Sequence, residues 1–269
     1  MTVPVTVLVT GATDGIGRET ARVLLARGCR VLVHGRNEAR ARTVAGELDV
    51  DADRAVPVWG DLSHMREVVD LAAQVRARIE RLDALINNAG IYCKKRVVTE
   101  DGFELTMAVN HFAHVLLTQH LLPVLTAASA PRLVNVSSMT HEGAELDVDD
   151  LEFSRRWSAY GAYSASKLAN VLFTRAFAAR YPGITANALH PGVIATKLLR
   201  QGFSGGGAHV AEGARTSVYL ALSAEVTGVS GEYFVDCRSR TPGRGARDAR
   251  AVEELWRVTF ERLRLFLRS

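Results

Sequence analysis

Two side chains with proton chemistry stand four residues apart in the segment Y-S-A-S-K, Tyr163 and Lys167. Residues 157–177 have the pattern of a helix, and positions i and i+4 of a helix share one face. The phenol and the ammonium therefore point into the same space. A phenol has a reference pKa of about 10, which a nearby positive charge lowers. The pair predicts a tuned proton donor and acceptor, with Tyr163 as acid and base.

The rest of the chain supports a specific role for this pair. Lysine is rare here, because most of the positive charge is carried by arginine. Tyr160 is a rival for the tyrosine role, but four residues further on it meets Ser164, which cannot supply a charge. The alternative interpretation is a surface lysine beside a half-buried tyrosine.

A glycine-rich segment near the amino terminus has the pattern of a dinucleotide-binding turn. The residues TGATDGIG (10–17) follow an apolar strand and open the first helix. Glycines permit a tight turn and close approach of a pyrophosphate, and the helix N-terminus supplies free N–H groups. We expect cofactor contacts from Gly11, Thr13, Asp14, Gly15, Ile16 and Gly17.

The end of the second strand should face the adenosine ribose, where a carboxylate would favour NAD. This chain has no carboxylate there, and Arg36 suits a 2′-phosphate instead. The sequence therefore favours NADP(H), with NAD(H) as the alternative. Further cofactor contacts are expected after the third and fourth strands, from Asp61, Leu62, Asn88, Ala89 and Gly90.

Short apolar runs alternate with longer amphipathic segments along the chain. We expect strands at 6–10, 29–35, 55–59, 84–90, 131–138, 183–192 and 231–236. This alternation predicts βαβ units with right-handed crossovers. The predicted fold class is α/β, a single-domain Rossmann fold with a doubly wound parallel seven-stranded sheet and helices on both faces. One domain is expected over 1–269, with a substrate loop at 197–212 and a C-terminal helix at 248–267.

Composition excludes several classes of function. The 269 residues are 48% hydrophobic and 23% charged, as in a globular protein, with a net charge of +4. Arginines are not interleaved with aromatics, so no nucleic-acid partner is predicted. The three cysteines are far apart, which favours a cytoplasmic protein and no metal site. Neither a signal peptide nor a membrane span is recognised.

The motifs in their order resemble the short-chain dehydrogenases/reductases over nearly the whole chain. They are TGATDGIG, NNAG (87–90), Asn110, Ser138, YSASK and HPGVIAT (190–196). Within that family, RLVNVSSMTH, YSASKLANVLFTR and GEYFVDC are similar to the retinol dehydrogenase and WW-domain oxidoreductase group. That group carries a similar insertion between the serine and the tyrosine.

The resemblance implies a role for each matching residue. Tyr163 exchanges a proton with the substrate oxygen, Lys167 also binds the nicotinamide ribose, and Ser138 hydrogen-bonds the substrate oxygen, with Ser137 as the rival serine. Asn110 is implied to hold a water that links Lys167 to solvent. Nicotinamide contacts are implied for Pro191, Gly192, Val193 and Thr196. The family's pairing of the two helices carrying Asn110 and Tyr163 implies a homodimer or homotetramer.

The predicted function is NAD(P)(H)-dependent transfer of hydride between nicotinamide and a lipophilic alcohol or carbonyl, as in a carbonyl reductase. The alternatives are a catalytically silent dinucleotide-binding sensor or scaffold, and a sugar-nucleotide epimerase or lyase, against which the glycine spacing argues.

An apolar substrate pocket is expected from Trp157, Leu198, Leu199 and Phe203. Glycines at 202 and 205–207 predict a mobile gate. The C-terminal amphipathic helix is interpreted as a cap or subunit contact, with membrane contact as the alternative.

Overall fold

The computed structural model describes residues 4–49, 54–203 and 206–268. The strands are β1 Thr6–Val9, β2 Arg30–Gly35, β3 Ala55–Trp59, β4 Ala84–Asn87, β5 Arg132–Val136, β6 Thr185–His190, β7 Tyr233–Val235 and β8 Arg238–Arg240. The α-helices are α1 Gly15–Ala26, α2 Glu38–Leu48, α3 Met65–Arg76, α4 Leu105–Met107, α5 Ala113–Thr126, α6 Ala159–Arg180, α7 Lys197–Gly202, α8 Val210–Leu222, α9 Arg244–Arg247 and α10 Ala249–Leu263.

All strands belong to one sheet with the order β3-β2-β1-β4-β5-β6-β7-β8. The first seven strands pair in parallel, and β8 pairs antiparallel with β7. The strand order reverses direction at β1 and β4, and in such sheets a ligand crevice forms at the carboxyl ends of the strands beside this point. The predicted α/β Rossmann fold is confirmed.

Alternate residues of the inner strands belong to two separate hydrophobic cores. Val7 and Val9 of β1 join a core shared with α1, α2 and α8, whereas Leu8 between them joins the core under α3, α5 and α6. Successive side chains of a strand point to opposite faces, and burial on both faces produces the continuous apolar runs seen in the sequence. The two cores hold the sheet rigid, and this fixes the loops at its carboxyl edge.

Three details differ from the sequence-based prediction. The sheet has eight strands instead of seven, because β8 is a short, fully exposed hairpin partner without an apolar pattern. The substrate-loop region contains a short helix, α7, that was not expected. The C-terminal helix ends at Leu263 and is followed by turns, so it is shorter than predicted. Gly205, one of the glycines of the predicted gate, lies outside the described residues.

The C-terminal helix α10 packs across α6 and contacts the turn that precedes α5. The rings of Phe173 and Trp256 stack with centroids 5.8 Å apart, and the Arg180 guanidinium lies 4.5 Å from the Trp256 ring centroid. His111 Nε2 and Thr259 Oγ1 are hydrogen-bonded at 2.9 Å. The amphipathic C-terminal segment is therefore a cap on its own chain.

Candidate active site

A cavity of ≈ 1460 Å³ opens along the carboxyl edge of the sheet. It extends from the glycine-rich turn to Tyr163 and Lys167. Every residue expected to be catalytic or cofactor-binding lines it, except Asn110. Residues from the ends of six strands, β1 to β6, thus meet in one space, as the topology of a doubly wound sheet requires.

Tyr163 and Lys167 lie on the buried face of α6. This helix begins behind Ser158, whose Oγ accepts a hydrogen bond from Gly161 N at 3.0 Å and caps the first turn. Tyr163 is 6% exposed and Lys167 is 3% exposed. Lys167 Nζ lies 5.6 Å from the centre of the Tyr163 ring and donates to Val136 O at 3.0 Å.

Burial sets the proton chemistry of this pair. It raises the pKa of Tyr163 to about 12, and interaction with the Ser138 side chain acts in the opposite direction. Burial also lowers the pKa of Lys167 to about 8. Burial thus moves the tyrosine pKa upward, opposite to the direction expected from a neighbouring Lys167. The phenol is protonated at neutral pH.

The two rival serines have different surroundings. Ser138 lines the cavity at the end of β5, and its Oγ accepts from Thr140 N at 3.3 Å as the cap of a 3-10 helix, Met139–Gly143. Ser137 Oγ donates to Lys167 O at 2.7 Å. Ser137 thus ties β5 to α6, and Ser138 is the serine whose side chain acts on the phenol of Tyr163.

Asn110 lies behind the cavity wall in a π-helical turn, Ala108–Phe112, between α4 and α5. Its Oδ1 accepts from Ile91 N at 2.8 Å, and its Nδ2 donates to Ile91 O at 3.1 Å and to Ser166 Oγ at 3.0 Å. Both amide N–H groups are therefore used by protein partners. The side chain fixes the segment after β4 against α6, and a water at Asn110 stays a prediction.

The glycine-rich turn requires glycine at several positions. Gly11 and Gly15 have positive φ values of 63° and 54°, a region that other residues rarely adopt. A Cβ on Gly17 would stand 2.3 Å from Gly11 O. The turn is anchored by Asn88, whose Nδ2 donates to Thr10 O at 2.7 Å. Backbone is thus exposed along the cavity where a pyrophosphate would need it.

His34 is a residue of this site that sequence reasoning missed. Its Nδ1 accepts from Gly11 N at 3.0 Å, and its Nε2 lies 3.0 Å from Gly60 O. Burial lowers the pKa of His34 to about 4, so the ring is neutral. The imidazole joins the ends of β1, β2 and β3. The only signal in the sequence was a polar residue at the end of an apolar strand.

A smaller polar hollow of ≈ 450 Å³ lies beside the turn, next to the end of β2. Its cationic side chains are Arg36, Arg40 and Lys197, of which the last two were not predicted. Lys197 Nζ lies 2.6 Å from Asp14 Oδ2, and this hydrogen bond lowers the pKa of the Asp14 carboxyl. The acidic residue of the turn is thereby paired with the first residue of α7.

The segment after β6 forms part of the cavity wall. Gly192 has a φ of 95°, and Thr196 caps α7 by accepting from Leu199 N at 3.3 Å. A Cβ on Gly15 would lie 3.5 Å from Thr196 Cγ2, so this segment packs against the glycine-rich turn. Pro191, Gly192, Val193 and Thr196 therefore line the cavity together.

Aromatic rings surround Tyr163 on the substrate side. The Phe203 ring lies 5.9 Å from the Tyr163 ring, and Tyr92 lies 5.6 Å from both. Tyr92 was not singled out in the sequence. Trp157 was expected in this pocket, but its Nε1 donates to Glu104 Oε1 at 3.2 Å and it is not among the described residues that line the cavity.

Comparison with known proteins agrees with the fold and the site. Residues 5–205 match the short chain dehydrogenase family. Human retinol dehydrogenase 12 is 39% identical, with 96% of this chain and 85% of that protein covered. Human retinol dehydrogenase 14 is 38% identical, with 94% of this chain and 84% of that protein covered. The chain belongs to the short-chain dehydrogenase/reductase family, and the resemblance to retinol dehydrogenases is confirmed.

Solved structures of related proteins have the same fold. An uncharacterized protein from Mycobacterium paratuberculosis has a TM-score of 0.81 and 31% identity, with 97% of this chain and 96% of that chain covered. A short chain dehydrogenase from Escherichia coli in complex with NADPH has a TM-score of 0.72 and 27% identity, with 87% of this chain and 97% of that chain covered. General NAD(P)-dependent oxidoreduction follows from the family.

Residues 4–49, 54–203 and 206–268 contain no helix with the length and apolar character that a membrane crossing requires. The same ranges contain no group of three or more histidine, cysteine and acidic side chains placed to hold a metal ion.

Proposed function

We propose that the protein is an NADP(H)-dependent oxidoreductase that interconverts a lipophilic alcohol and its carbonyl compound, with chain 1–269 acting as a single dinucleotide-binding and catalytic domain. The observation that carries this proposal is the placement of three buried groups, the phenol of Tyr163, the hydroxyl of Ser138 and the ammonium of Lys167, at one end of a cavity that begins at a glycine-rich turn.

The turn fits a dinucleotide. Side chains are absent where Gly11, Gly15 and Gly17 expose backbone, and any Cβ at Gly17 would collide with its neighbours. The N-terminus of α1 lies at the same place and favours negative charge. The adenosine side would be held by Arg36, Asp61 and Leu62, and the nicotinamide side by Lys167 and residues 191–196. When bound, the nicotinamide supplies or accepts a hydride.

The chain's own groups supply the proton chemistry. With its pKa raised to about 12, the Tyr163 phenol holds its proton at neutral pH and can donate it to a carbonyl oxygen as negative charge develops there. Ser138 Oγ donates a second hydrogen bond to the same oxygen. Lys167, largely protonated at neutral pH because its pKa stays near 8, favours the tyrosinate that forms.

The preference for NADP(H) is supported by the polar hollow. A 2′-phosphate needs compensating positive charge, and Arg36, Arg40 and Lys197 converge there. A carboxylate that would accept the ribose hydroxyls of NAD is missing at the end of β2. The related Escherichia coli structure contains NADPH, which supports the same preference.

The lipophilic substrate is supported by the pocket wall and by the relatives. Leu198, Leu199 and Phe203 line the cavity beyond Tyr163, and Tyr92 packs against the same tyrosine. Relatives include human retinol dehydrogenases and a human polyprenol dehydrogenase that is 34% identical. We therefore propose an elongated, apolar primary alcohol or aldehyde as the substrate class.

The oligomeric state and the cellular location are proposed from the sequence. The predicted homodimer or homotetramer would pair α5 and α6 of two copies, yet α10 of the same chain covers the outer side of α6. Such pairing requires α10 to move or another surface to be used, and sedimentation velocity measures which assembly forms. A cytoplasmic location is proposed from the cysteine spacing alone.

The proposal is tested by incubating the purified protein with NADPH, and separately with NADH, and a panel of aldehydes and ketones of increasing chain length. We expect loss of reduced-nicotinamide absorbance, faster with NADPH and with longer apolar aldehydes. Binding of NADPH without turnover of any compound, in either direction, would instead support a silent dinucleotide-binding protein.

A further inference from the structure

His141 lies directly behind Ser138 and takes no part in the chemistry described above. It is fully buried in the 3-10 helix that Ser138 caps. Its Nε2 lies 3.0 Å from Gly243 N, and its Nδ1 lies 2.7 Å from Ser138 O. A backbone N–H can only donate, so Nε2 must be the unprotonated ring nitrogen. Nδ1 then carries the hydrogen and donates it to the carbonyl of Ser138.

The surroundings hold this ring in one orientation. The ring packs edge-on against Tyr233 of β7, with centroids 4.6 Å apart. Gly243 packs so closely on the 3-10 helix that a Cβ there would stand 2.5 Å from Glu142 Cα. Burial lowers the pKa of His141, which favours the neutral imidazole that both hydrogen bonds require. The residue links the end of β5 to the segment that precedes α9.

This link bears on the direction of the Ser138 hydroxyl. Ser138 O accepts from both His141 Nδ1 at 2.7 Å and His141 N at 3.2 Å. Ser138 Oγ accepts from Thr140 N within the same turn. The backbone that aims the hydroxyl at Tyr163 is therefore fixed at its carbonyl by the imidazole. A small displacement of a catalytic group can cost a large factor in rate.

We propose that His141 is a positioning residue, which sets the orientation of Ser138 and couples it to the C-terminal segment at Gly243. The inference rests on the proposed function, in which Ser138 donates to the substrate oxygen. It assigns to the C-terminal part of the chain a role in the active site, although that part contributes no group to the reacting atoms.

The first test compares two substitutions of different hydrogen-bonding capacity. His141→Leu removes both ring hydrogen bonds at similar volume. His141→Gln keeps an oxygen that can accept from Gly243 N and an NH2 group that can donate to Ser138 O. We expect His141→Leu to lower kcat by about tenfold or more with the Kd of NADPH unchanged, and His141→Gln to restore most of kcat.

The matched control is His120→Leu, which removes another histidine that is hydrogen-bonded to the C-terminal segment, at Phe266 O, 2.9 Å away. It should keep the wild-type kcat, since His120 lies on α5, away from Ser138. The proposal is overturned if folded His141→Leu keeps kcat within about twofold of wild type, or if folded His141→Gln is as slow as His141→Leu.

A second measurement uses the unaltered protein and does not need activity. Nitrogen NMR of imidazole-labelled protein, with the His141 signal identified by its loss in His141→Gln, reports which ring nitrogen carries hydrogen. We expect the neutral Nδ1–H form, and the Nε2–H form would overturn the inference. A wild-type protein that reduces no carbonyl would contradict the proposed function. The tautomer measurement tests the His141 inference independently of that activity.

Discussion

At the scale of single residues, burial decides what each group can do. Tyr163 and Lys167 are recognisable from their spacing, but the spacing does not reveal how little water reaches them. Their pKa values move apart, upward for the phenol and downward for the ammonium. The site thus holds a neutral phenol beside an ammonium whose charge is costly to keep.

The buried ammonium predicts a mutant that is more stable and less active. Between pH 8 and about 10.5 the folded protein binds fewer protons at Lys167 than the unfolded chain, so wild-type stability rises with pH across that window. Below pH 8 the full penalty applies, up to about 3 kcal/mol at about 1.4 kcal/mol per pKa unit. Lys167→Met should therefore raise the free energy of unfolding at pH 7, measured by urea denaturation, while turnover falls.

The gain from Lys167→Met should shrink between pH 7 and pH 10, because the wild-type ammonium loses its proton over that range. Val136 O keeps a donor in the variant, Asn170 Nδ2 at 3.3 Å. Lys95→Met, at an exposed position, is the control and should change little at either pH. A loss of stability at pH 7, or a gain independent of pH, would show that the ammonium is not destabilising.

The proposed preference for NADPH is also tested at a single residue, Arg36. We expect Arg36→Ala to weaken NADPH binding by about tenfold to a hundredfold, from loss of a charge-assisted hydrogen bond of about 1.5–3 kcal/mol. Because Arg36 is exposed, the lower end is favoured. NADH binding should change little. Fluorescence titration of both cofactors measures the two dissociation constants.

Arg42→Ala is the matched control for Arg36→Ala. Arg42 lies on α2 close by, but it pairs with Glu38 at 2.7 Å and does not line the polar hollow. It should leave both affinities unchanged. Equal affinity of the unaltered protein for NADPH and NADH would contradict a preference for the phosphorylated cofactor.

The sequence predicts some of these residues better than others for a physical reason. Glycines of the turn are predictable because a positive φ or a close approach excludes every other side chain. His34, Arg40 and Lys197 contact residues that are distant in the chain. Their neighbours in the sequence therefore do not predict these contacts. Lys197 brings a positive charge to Asp14 of the turn, a contact that forms only after folding.

At the scale of elements, the sequence predicts the strands that are buried on both faces. It does not predict the exposed strand β8. Burial on both sides produces apolar runs, as in β1 and β2, whereas β8 is three exposed residues with no such run. The π-helical turn that places Asn110 was also invisible, because its residues would suit an ordinary helix. The family pattern, and not periodicity, identified Asn110.

The segment after β6 predicts a substrate-dependent closure. Phe203 packs on Tyr163, while the base of the loop is fixed by hydrogen bonds between Ala208 N and Val193 O at 2.8 Å and between Ala195 N and Ala208 O at 3.0 Å. Movement should therefore involve α7 and the residues that lead into this base. We expect amides of 198–203 and 206–207 to exchange quickly in the free enzyme and slowly with NADP⁺ and a substrate analogue bound.

Hydrogen-exchange mass spectrometry on the free, binary and ternary states makes this measurement. Peptides from α8 serve as the internal control, because this helix packs on α1 and should stay protected in all three states. Unchanged exchange across the loop on forming the ternary complex would mean that the segment is only a connection.

At the scale of the whole molecule, the C-terminal cap completes the core on one side of the sheet. Leu255, Val258 and Leu263 of α10 are buried with residues of α6 in the same cluster. Together with the His141–Gly243 hydrogen bond, this packing joins the C-terminal part to the α/β fold. Sequence periodicity predicted the amphipathic helix but not the surface it covers.

Removing the central ring of the cap should destabilise the protein. Trp256 stacks on Phe173 and Phe260 and lies under Arg180, and it is partly buried. We expect Trp256→Ala to cost about 2–4 kcal/mol in the free energy of unfolding, measured by urea denaturation. Leu265→Ala, at a position that is 73% exposed, is the control and should stay within about 0.5 kcal/mol of wild type. A Trp256→Ala variant as stable as the control would mean that α10 rests only loosely on the domain.

The central claim is that Tyr163 transfers the proton, and a single substitution tests it. Tyr163→Phe keeps the ring and its contacts with Phe203 and Tyr92, and removes only the hydroxyl. With NADPH and the best carbonyl substrate of the panel, we expect the Kd of NADPH to be unchanged and kcat to fall by about a hundredfold or more. A Tyr163→Phe enzyme that turns over at the wild-type rate would contradict the account.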